Sequence, residues 1–281
     1  SAQELYGCAD DVLEELCLQV KVTPNFKIPV VLTSKTEIFN AYFTNYNYNH
    51  IVIYDSIPQE NMMVFSKSVK STFTHELTHL VSINSKNGFW RNFGKIFGDI
   101  YNPGCYITMT SFFKEGASVY QESKNGEGRL KDGFFLHDLR QAKLSGKFPG
   151  YTDCFGARTI YPYGTTSYIF GSAFTEYIIE KYGMDKYAEF WHRGINSNRL
   201  TSTAVFKKTY GISMKKEWKN FYDSIDVSGI EKNPDSINGI RKSNLENKSL
   251  HLYSVIGRKD GTDIIWDETT ESVFLGNKKL F

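Results

Sequence analysis

The chain has 281 residues, enough for one large domain or two unequal ones, and its hydrophobic fraction of 41% excludes a disordered protein. Its formal charge of +2 is close to balance, so composition does not indicate a nucleic-acid-binding or membrane-binding protein. The sequence contains no run of about 18 apolar residues, and it therefore predicts no transmembrane helix.

The first part of the chain predicts a helix, two strands and a long helix. Leucine and valine recur at helical spacing over residues 3–20, and the segments 27–34 and 49–56 are short and rich in β-branched residues. A capping-box spacing at 56–59 then precedes a helix expected from about residue 58 to Lys86, which ends at Asn87-Gly88.

The stretch "FTHELTHLV", residues 73–81, lies in the middle of this long helix. His75 and His79 are four positions apart, about 400° around a helix and roughly 6 Å along it, so both rings project from one face. Two such imidazoles can bind one zinc ion, and Glu76 stands beside them without joining the same ligand set. With six histidines in the chain, chance produces roughly 0.008 such matches. The alternative is a pair of histidines on the polar flank of a core helix.

A zinc site needs a third protein ligand, and Glu115 is the candidate. No third histidine follows His79 at short spacing, but "FFKEGASVY" places Glu115 near the start of a second helix. Gly116 and Ala117 are small, so we expect this helix to approach the first one closely enough for a carboxylate to reach the metal. The alternative is a surface glutamate in a first helical turn, where the helix dipole favours it.

The rest of the chain predicts mainly helices and then a small β-rich tail. Residues 92–104 are interpreted as a glycine-punctuated connector, and 228–249 as a polar linker. Helices are predicted at 111–123, 132–144, 163–183, 184–194 and 213–225. Strands are predicted at 250–257, 262–268 and 271–281. The predicted fold class is thus α+β, with a short β tail.

The four cysteines do not have the spacing of a metal site, because no pair is separated by two to four residues. Cys105 and Cys154 could form a disulfide in an exported protein, or could be buried free thiols. Cys8 and Cys17 are nine positions apart and would lie on opposite sides of one helix. The cysteines leave the cellular compartment open.

"HELTH" followed by "FFKEGASVYQE" resembles the gluzincin metallopeptidases, especially the bacterial peptidase-MA-like group. The similarity covers about residues 27–225 and includes "NHIVIYDS", "YIFGSAFTEYIIEKYG" and "VFKKTYGISMKKEWKNFY". It implies a zincin-like domain over residues 1–226, in which 49–56 is an edge strand that borders the cleft. That domain would comprise a small N-terminal sheet, the HExxH helix and a mainly helical C-terminal part. The composition of the rest predicts a linker over 227–249 and a short β-rich tail over 250–281, which could be the start of a further β module.

The resemblance also implies roles for individual residues. One zinc ion per chain would be bound by His75, His79 and Glu115, with Glu76 as general base. Tyr168 matches the tyrosine that hydrogen-bonds the oxyanion in related aminopeptidases, and Tyr163 is its nearby competitor. Glu122 could accept a hydrogen bond from a ligand histidine, or could be a solvated glutamate.

The implied function is an exported zinc endopeptidase that acts on peptides or proteins. The G-x-M-E-N segment with which aminopeptidases hold a free amino group is absent before residue 75. The start of the chain is acidic and lacks the pattern of a signal peptide, so we expect any targeting segment to have been removed or to lie elsewhere. The alternatives are a non-catalytic binding or adhesion module on the same scaffold, and hydrolysis of a non-peptide amide.

The remaining histidines are interpreted as structural or exposed residues. His137, His192 and His251 are isolated in the sequence, and His50 stands beside the predicted edge strand, where it could line the cleft.

Overall fold

The computed structural model describes thirteen stretches of the chain, and every structural statement below concerns these residues. They are 1–22, 27–46, 48–56, 68–97, 102, 104–133, 135–156, 160–197, 201–228, 253–257, 263–267, 272–275 and 278–280. The fold is α+β: a small N-terminal sheet, a mainly helical body and a short β tail, as the sequence predicts. No helix among the described residues is both long and apolar enough to cross a bilayer.

The helices and strands are numbered here in chain order. The helices are α1 Ala2–Tyr6, α2 Ala9–Val20, α3 Ser68–Ile83, α4 Gly88–Phe97, α5 Ser111–Ser123, α6 His137–Leu144, α7 Tyr151–Cys154, α8 Thr166–Tyr182, α9 Met184–Ile195, α10 Ser202–Tyr210 and α11 Met214–Ser224. The strands are β1 Val30–Thr33, β2 Asn40–Thr44, β3 His50–Tyr54, β4 Tyr253–Gly257, β5 Asp263–Asp267, β6 Ser272–Leu275 and β7 Lys278–Lys279. Short 3₁₀ turns occur at Arg129–Lys131 and Tyr163–Thr165, and a π-helical turn at Gly104–Thr108.

The N-terminal sheet has the order β1-β3-β2, with β1 parallel and β2 antiparallel to β3. The prediction that β3 is an edge strand is therefore wrong, because β3 is central and its Ile51 and Ile53 are fully buried. The edge next to α3 is β2, which the sequence analysis missed. Its "NAYFT" segment contains too few β-branched residues to stand out, and pairing with β3 stabilises it instead.

Helix α3 packs its apolar side against this sheet and against α2. Phe73, Leu77 and Leu80 form one buried cluster with Ile51 and Ile53 of β3. The predicted capping box at 56–59 and the predicted start of this helix at residue 58 lie outside the described residues, apart from Ser56. The helix ends at Ile83, three residues before the predicted end.

Helices α5 and α8 form the closest contact in the helical body, and glycines make it possible. A methyl group placed on Gly116 would lie 2.5 Å from the carbonyl oxygen of Gly171. Gly116 was expected to admit the HExxH helix, but it faces α8 instead. The side of α5 that meets α3 carries Glu115, Ser118 and Glu122.

Other predicted elements also differ from the observed ones, and the helix predicted at 132–144 begins only at His137. Most of the predicted connector 92–104 that the structure describes is helical, because α4 extends to Phe97. The predicted helix 3–20 is two helices, which are interrupted at Gly7 and Cys8. Glycine was a misleading guide at 92–104, since α4 contains Gly94 within a regular helix. At 3–20, by contrast, Gly7 marks the interruption that the apolar periodicity did not predict.

All four cysteines are free thiols, and Cys105 and Cys154 are buried. The disulfide alternative for this pair is therefore wrong. Burial in an apolar environment raises the pKa of the Cys154 thiol, so this side chain behaves as a small hydrophobic group.

Two compact units are present, Ser1–Ser228 and Gly229–Phe281. In the second unit β4, β5, β6 and β7 form an antiparallel sheet in sequential order. The predicted third strand, 271–281, is in fact the hairpin of β6 and β7. Residues 229–249 of the predicted linker lie outside the described residues.

Lys143 holds the C-terminal end of α11, and its replacement by Met is expected to destabilise the protein. Its Nζ donates to the carbonyl oxygens of Tyr222 and Ile225 at 2.7 and 2.6 Å. Methionine keeps the aliphatic stem but leaves these helix-end carbonyls without the charged donor, which costs about 1–2 kcal/mol. Urea unfolding followed by circular dichroism measures the change. Lys147→Met, at an exposed position nearby, is the matched control and should change stability by less than about 0.5 kcal/mol. Equal stability of the Lys143→Met variant and its parent would contradict the prediction.

Candidate metal centre

Helices α3 and α5 bring His75, His79 and Glu115 together. The two histidine rings lie on one face of α3 with their centroids 4.9 Å apart. From α5, Oε2 of Glu115 lies 3.2 Å from Nε2 of His75 and 3.3 Å from Nε2 of His79. One possible ligand atom from each residue lies within 4.8 Å of the others, so this group could hold a metal ion.

The spacing of these donor atoms fits a small tetrahedral ion. Ligands about 2.0–2.1 Å from such an ion lie about 3.3–3.4 Å from one another. The two distances from Glu115 to the histidine nitrogens, 3.2 and 3.3 Å, agree with that value. Two imidazoles and one carboxylate also form a donor set typical of zinc sites that keep a position for water. The residues present therefore fit a zinc ion.

Each histidine has a polar partner on its other ring nitrogen. Nδ1 of His75 lies 3.0 Å from Oε2 of the buried Glu122, and Nδ1 of His79 lies 3.2 Å from Oγ of Ser118. Nδ1 of His75 also lies 2.9 Å from Nη2 of Arg129, which can only donate, so Glu122 and Arg129 compete for this nitrogen. If Nδ1 donates to Glu122, the Nε2 lone pair of His75 is directed towards Glu115 and the metal position. Partners of this kind fix the ring orientation and the tautomer of a metal-binding histidine. Glu122 is therefore a buried hydrogen-bond partner of His75 and not a solvated glutamate.

The charges of this cluster depend on one another. Burial disfavours a charged His75, but its hydrogen bonds to Glu115 and Glu122 raise its pKa to about 9. Burial likewise opposes ionisation of Glu122, and Arg129 and His75 nevertheless lower its pKa to about 2. The pKa of Glu115 is also lowered, despite its burial, by the two histidines. In the absence of a metal, the ionised Glu115 and Glu122 therefore favour a protonated, positively charged His75. A bound cation would supply the same positive charge at this position.

Arg129 is a residue of this site that the sequence analysis missed. Its Nε and Nη2 donate to the two carboxylate oxygens of Glu122 at 2.6 and 2.8 Å, and its guanidinium lies 5.2 Å from the ring centre of Tyr168. Arg129 comes from the 3₁₀ turn after α5, within the polar segment "NGEGRLKDG". No motif marks an arginine in such a turn, and only the path of the chain brings it to the metal centre.

Of the two candidate tyrosines, Tyr168 is the one beside the metal centre. Its ring stacks on that of His75 with centroids 6.2 Å apart, and its hydroxyl interacts with Glu115. Burial and the negative charge of Glu115 raise its pKa to about 12, so the phenol keeps its proton at neutral pH. Tyr163 is exposed, and its ring contacts Tyr161. The geometry therefore favours Tyr168 over Tyr163.

Glu76 is buried next to the candidate ligands and is held by the edge strand β2. Its Oε2 accepts a hydrogen bond of 2.8 Å from the backbone N–H of Phe43. Since this N–H points towards Glu76, it points away from β3 and lies on the free side of the edge strand. The carboxylate thus stands between the histidines of α3 and the open edge of the sheet.

The other histidines that the structure describes lie apart from this cluster. Nε2 of His192 lies 2.6 Å from the carbonyl oxygen of Val20, an arrangement that links α9 to α2. His50 begins the central strand β3 with Nδ1 3.0 Å from the carbonyl oxygen of Tyr48, and His137 begins α6. His251 lies outside the described residues.

Comparisons with known proteins identify a relative but no function. An uncharacterized protein of Treponema pallidum (strain Nichols) is 31% identical to this chain over 231 residues. Those residues are 81% of this chain and 20% of that protein, so the chain spans about a fifth of its relative's length. No family model and no solved structure matches the chain. The candidate metal centre is therefore the feature of the chain that points to a function.

Proposed function

We propose that the protein is a zinc-dependent peptidase of the gluzincin type, most simply an endopeptidase. The observation that carries this proposal is the position of Glu76, buried between three converging metal ligands and the free edge of β2. A binding protein with a structural metal has no use for an additional carboxylate at that position. The proposed catalytic domain spans residues 1–226, and the gluzincin resemblance supports an exported protein.

The proposed ligands are His75, His79 and Glu115, and Glu122 and Ser118 would orient the two histidines. Zinc bound there would polarise the scissile carbonyl and lower the pKa of the attacking water. Glu76 would accept the proton of that water and deliver it to the leaving amine. The protonated phenol of Tyr168 would donate a hydrogen bond to the developing oxyanion. Arg129 would keep Glu122 ionised, and Glu122 would then accept the Nδ1 proton of His75 when Nε2 binds the metal.

The substrate would pair with strand β2 as an additional strand. In the antiparallel pair of β2 and β3, alternate residues direct their backbone groups outward, and the contact with Glu76 shows that Phe43 is one of them. Ala41, two residues earlier, has the same orientation, and its N–H donates to Oδ1 of Asn40. A bound peptide would therefore have to replace the present acceptors of these two N–H groups. A peptide bound there would gain affinity from backbone hydrogen bonds, so binding would depend little on the peptide's sequence. The edge-strand role first expected of 49–56 is thus reassigned to β2.

The metal content of the purified protein tests this proposal first. We expect about one zinc ion per chain by plasma mass spectrometry, on protein prepared without chelators or a metal-affinity tag. His79→Ala removes one of three ligands and should abolish stoichiometric binding, whereas His50→Ala, on β3 outside the cluster, should retain it.

A digest of a peptide library with the same three proteins tests the reaction. Hydrolysis by the parent and His50→Ala, but not by His79→Ala, is the expected result, and peptides cut internally would identify an endopeptidase. Stoichiometric zinc without any hydrolysis would contradict the peptidase and favour the binding module. Absence of metal after zinc is added back would reject the site altogether.

A further inference from the structure

Helix α4, Gly88–Phe97, has an apolar face that the fold leaves exposed. At about 100° per residue, its five large apolar side chains fall within an arc of about 120°. None of the residues of this helix is buried. The five are Phe89, Trp90, Phe93, Ile96 and Phe97.

The exposure of this face is high for side chains of this type. Phe89 is 67% exposed, Ile96 76% and Phe97 56%. Helix α9 is also amphipathic, but it buries its apolar residues, including Phe190 and Trp191, in the core. Soluble proteins expose single apolar side chains often, but a contiguous apolar stripe marks an interaction surface.

The aromatic rings of α4 form a continuous ridge. The ring of Phe93 lies 6.3 Å from that of Phe89 and 4.6 Å from that of Phe97, measured between centroids. The helix is attached near its N-terminal end, where the backbone N–H of Asn87 donates to Oδ1 of Asn196 at 2.6 Å. The indole N–H of Trp90 donates to the carbonyl oxygen of the same Asn196 at 3.4 Å. The fold therefore orients this helix from one end and leaves the ridge exposed.

The charges of α4 are all of one sign. Arg91 and Lys95 are its charged residues, and both lie on the side opposite the aromatic ridge, one helical turn apart. A helix with aromatic residues on one face, basic residues on the other and no acidic residue complements an anionic surface. A groove in a partner protein requires no such uniform charge, so the charge pattern favours a lipid surface.

We infer that α4 binds the protein to the surface of a bilayer that contains anionic phospholipids. The helix lies in the plane of the interface, with Phe89, Phe93 and Phe97 at the boundary of the acyl chains. Trp90 lies at the edge of the ridge nearest the protein body, where its indole N–H is bonded to Asn196. Arg91 and Lys95 contact the phosphates. The inference concerns a surface outside the metal centre, and it holds or fails independently of peptidase activity.

Sedimentation of the full chain with large unilamellar vesicles tests this inference. Vesicles of equal parts phosphatidylcholine and phosphatidylglycerol should sediment the protein, whereas pure phosphatidylcholine vesicles should bind it at least tenfold more weakly. The double variant Phe89→Ser with Ile96→Ser should lose at least tenfold in binding to the anionic vesicles, and Lys95→Glu should lose severalfold. The matched control is the double variant Tyr6→Ser with Leu18→Ser. These two side chains lie outside α4 and are 94% and 72% exposed, so the control should bind as the parent does.

Three results would overturn the inference. The first is no binding of the parent to the anionic vesicles at low salt. The second is an equal loss of binding in the α4 variant and in the control. The third is a parent protein that does not bind vesicles but self-associates in analytical ultracentrifugation, while its α4 variant is monomeric. The ridge would then be the contact between two copies of the chain. Circular dichroism and thermal unfolding of each variant confirm that the fold is retained.

Discussion

Replacing Glu76 by Gln is expected to abolish peptide hydrolysis while leaving the metal bound. Glutamine has the shape of glutamate and can still accept the N–H of Phe43, so the position of β2 should be unchanged. It cannot take a proton from the attacking water, and general base catalysis typically contributes about 10²–10⁴-fold to the rate. Turnover of a quenched fluorescent peptide, together with zinc content, measures both parts of the prediction.

Glu37→Gln is the matched control, since Glu37 is an exposed glutamate outside the metal centre. It should hydrolyse the peptide at the rate of the parent. Hydrolysis at the parental rate by Glu76→Gln would exclude the proposed mechanism, even if zinc binding were confirmed. Loss of zinc in Glu76→Gln would instead mean that this carboxylate contributes to the metal site.

Replacing Gly116 by Ala is expected to have the second large effect, because it separates α5 from α8. The new methyl group would lie 2.5 Å from the carbonyl oxygen of Gly171. That oxygen belongs to the backbone of α8, so it cannot move aside as a flexible side chain could. Overpacking of this kind costs about 3 kcal/mol, near the upper end of its usual range. The same shift would displace Glu115 and Tyr168, one on each helix, and a misplacement of about 1 Å can cost on the order of 10²-fold in rate.

Chemical unfolding and peptide hydrolysis measure the two parts of this prediction. Gly156→Ala is the control, since a methyl group there meets no atom within 4 Å and the residue is exposed. It should change stability by less than about 1 kcal/mol and leave hydrolysis unaltered. A Gly116→Ala protein as stable and as active as this control would show that the contact between α5 and α8 can relax.

The long helices could be predicted from sequence because their signal is local. Helix α5 begins and ends where the apolar periodicity predicts, and α8 begins three residues later than predicted, after a 3₁₀ turn. Strand β2 could not be predicted in the same way, since its stability comes from a partner ten residues further along the chain. The amphipathic helix α4 was missed because two glycines in its region were read as signs of a loop.

For the metal centre, the sequence by itself determined the part that depends on helical spacing. Residues four apart on one helix must share a face, so His75 and His79 could be paired from their numbers alone. Only the tertiary structure decided which side of α5 meets α3, that Arg129 holds Glu122, and that β2 rather than β3 borders Glu76. These contacts join residues far apart in the chain, and their geometry depends on how whole elements pack rather than on any local pattern.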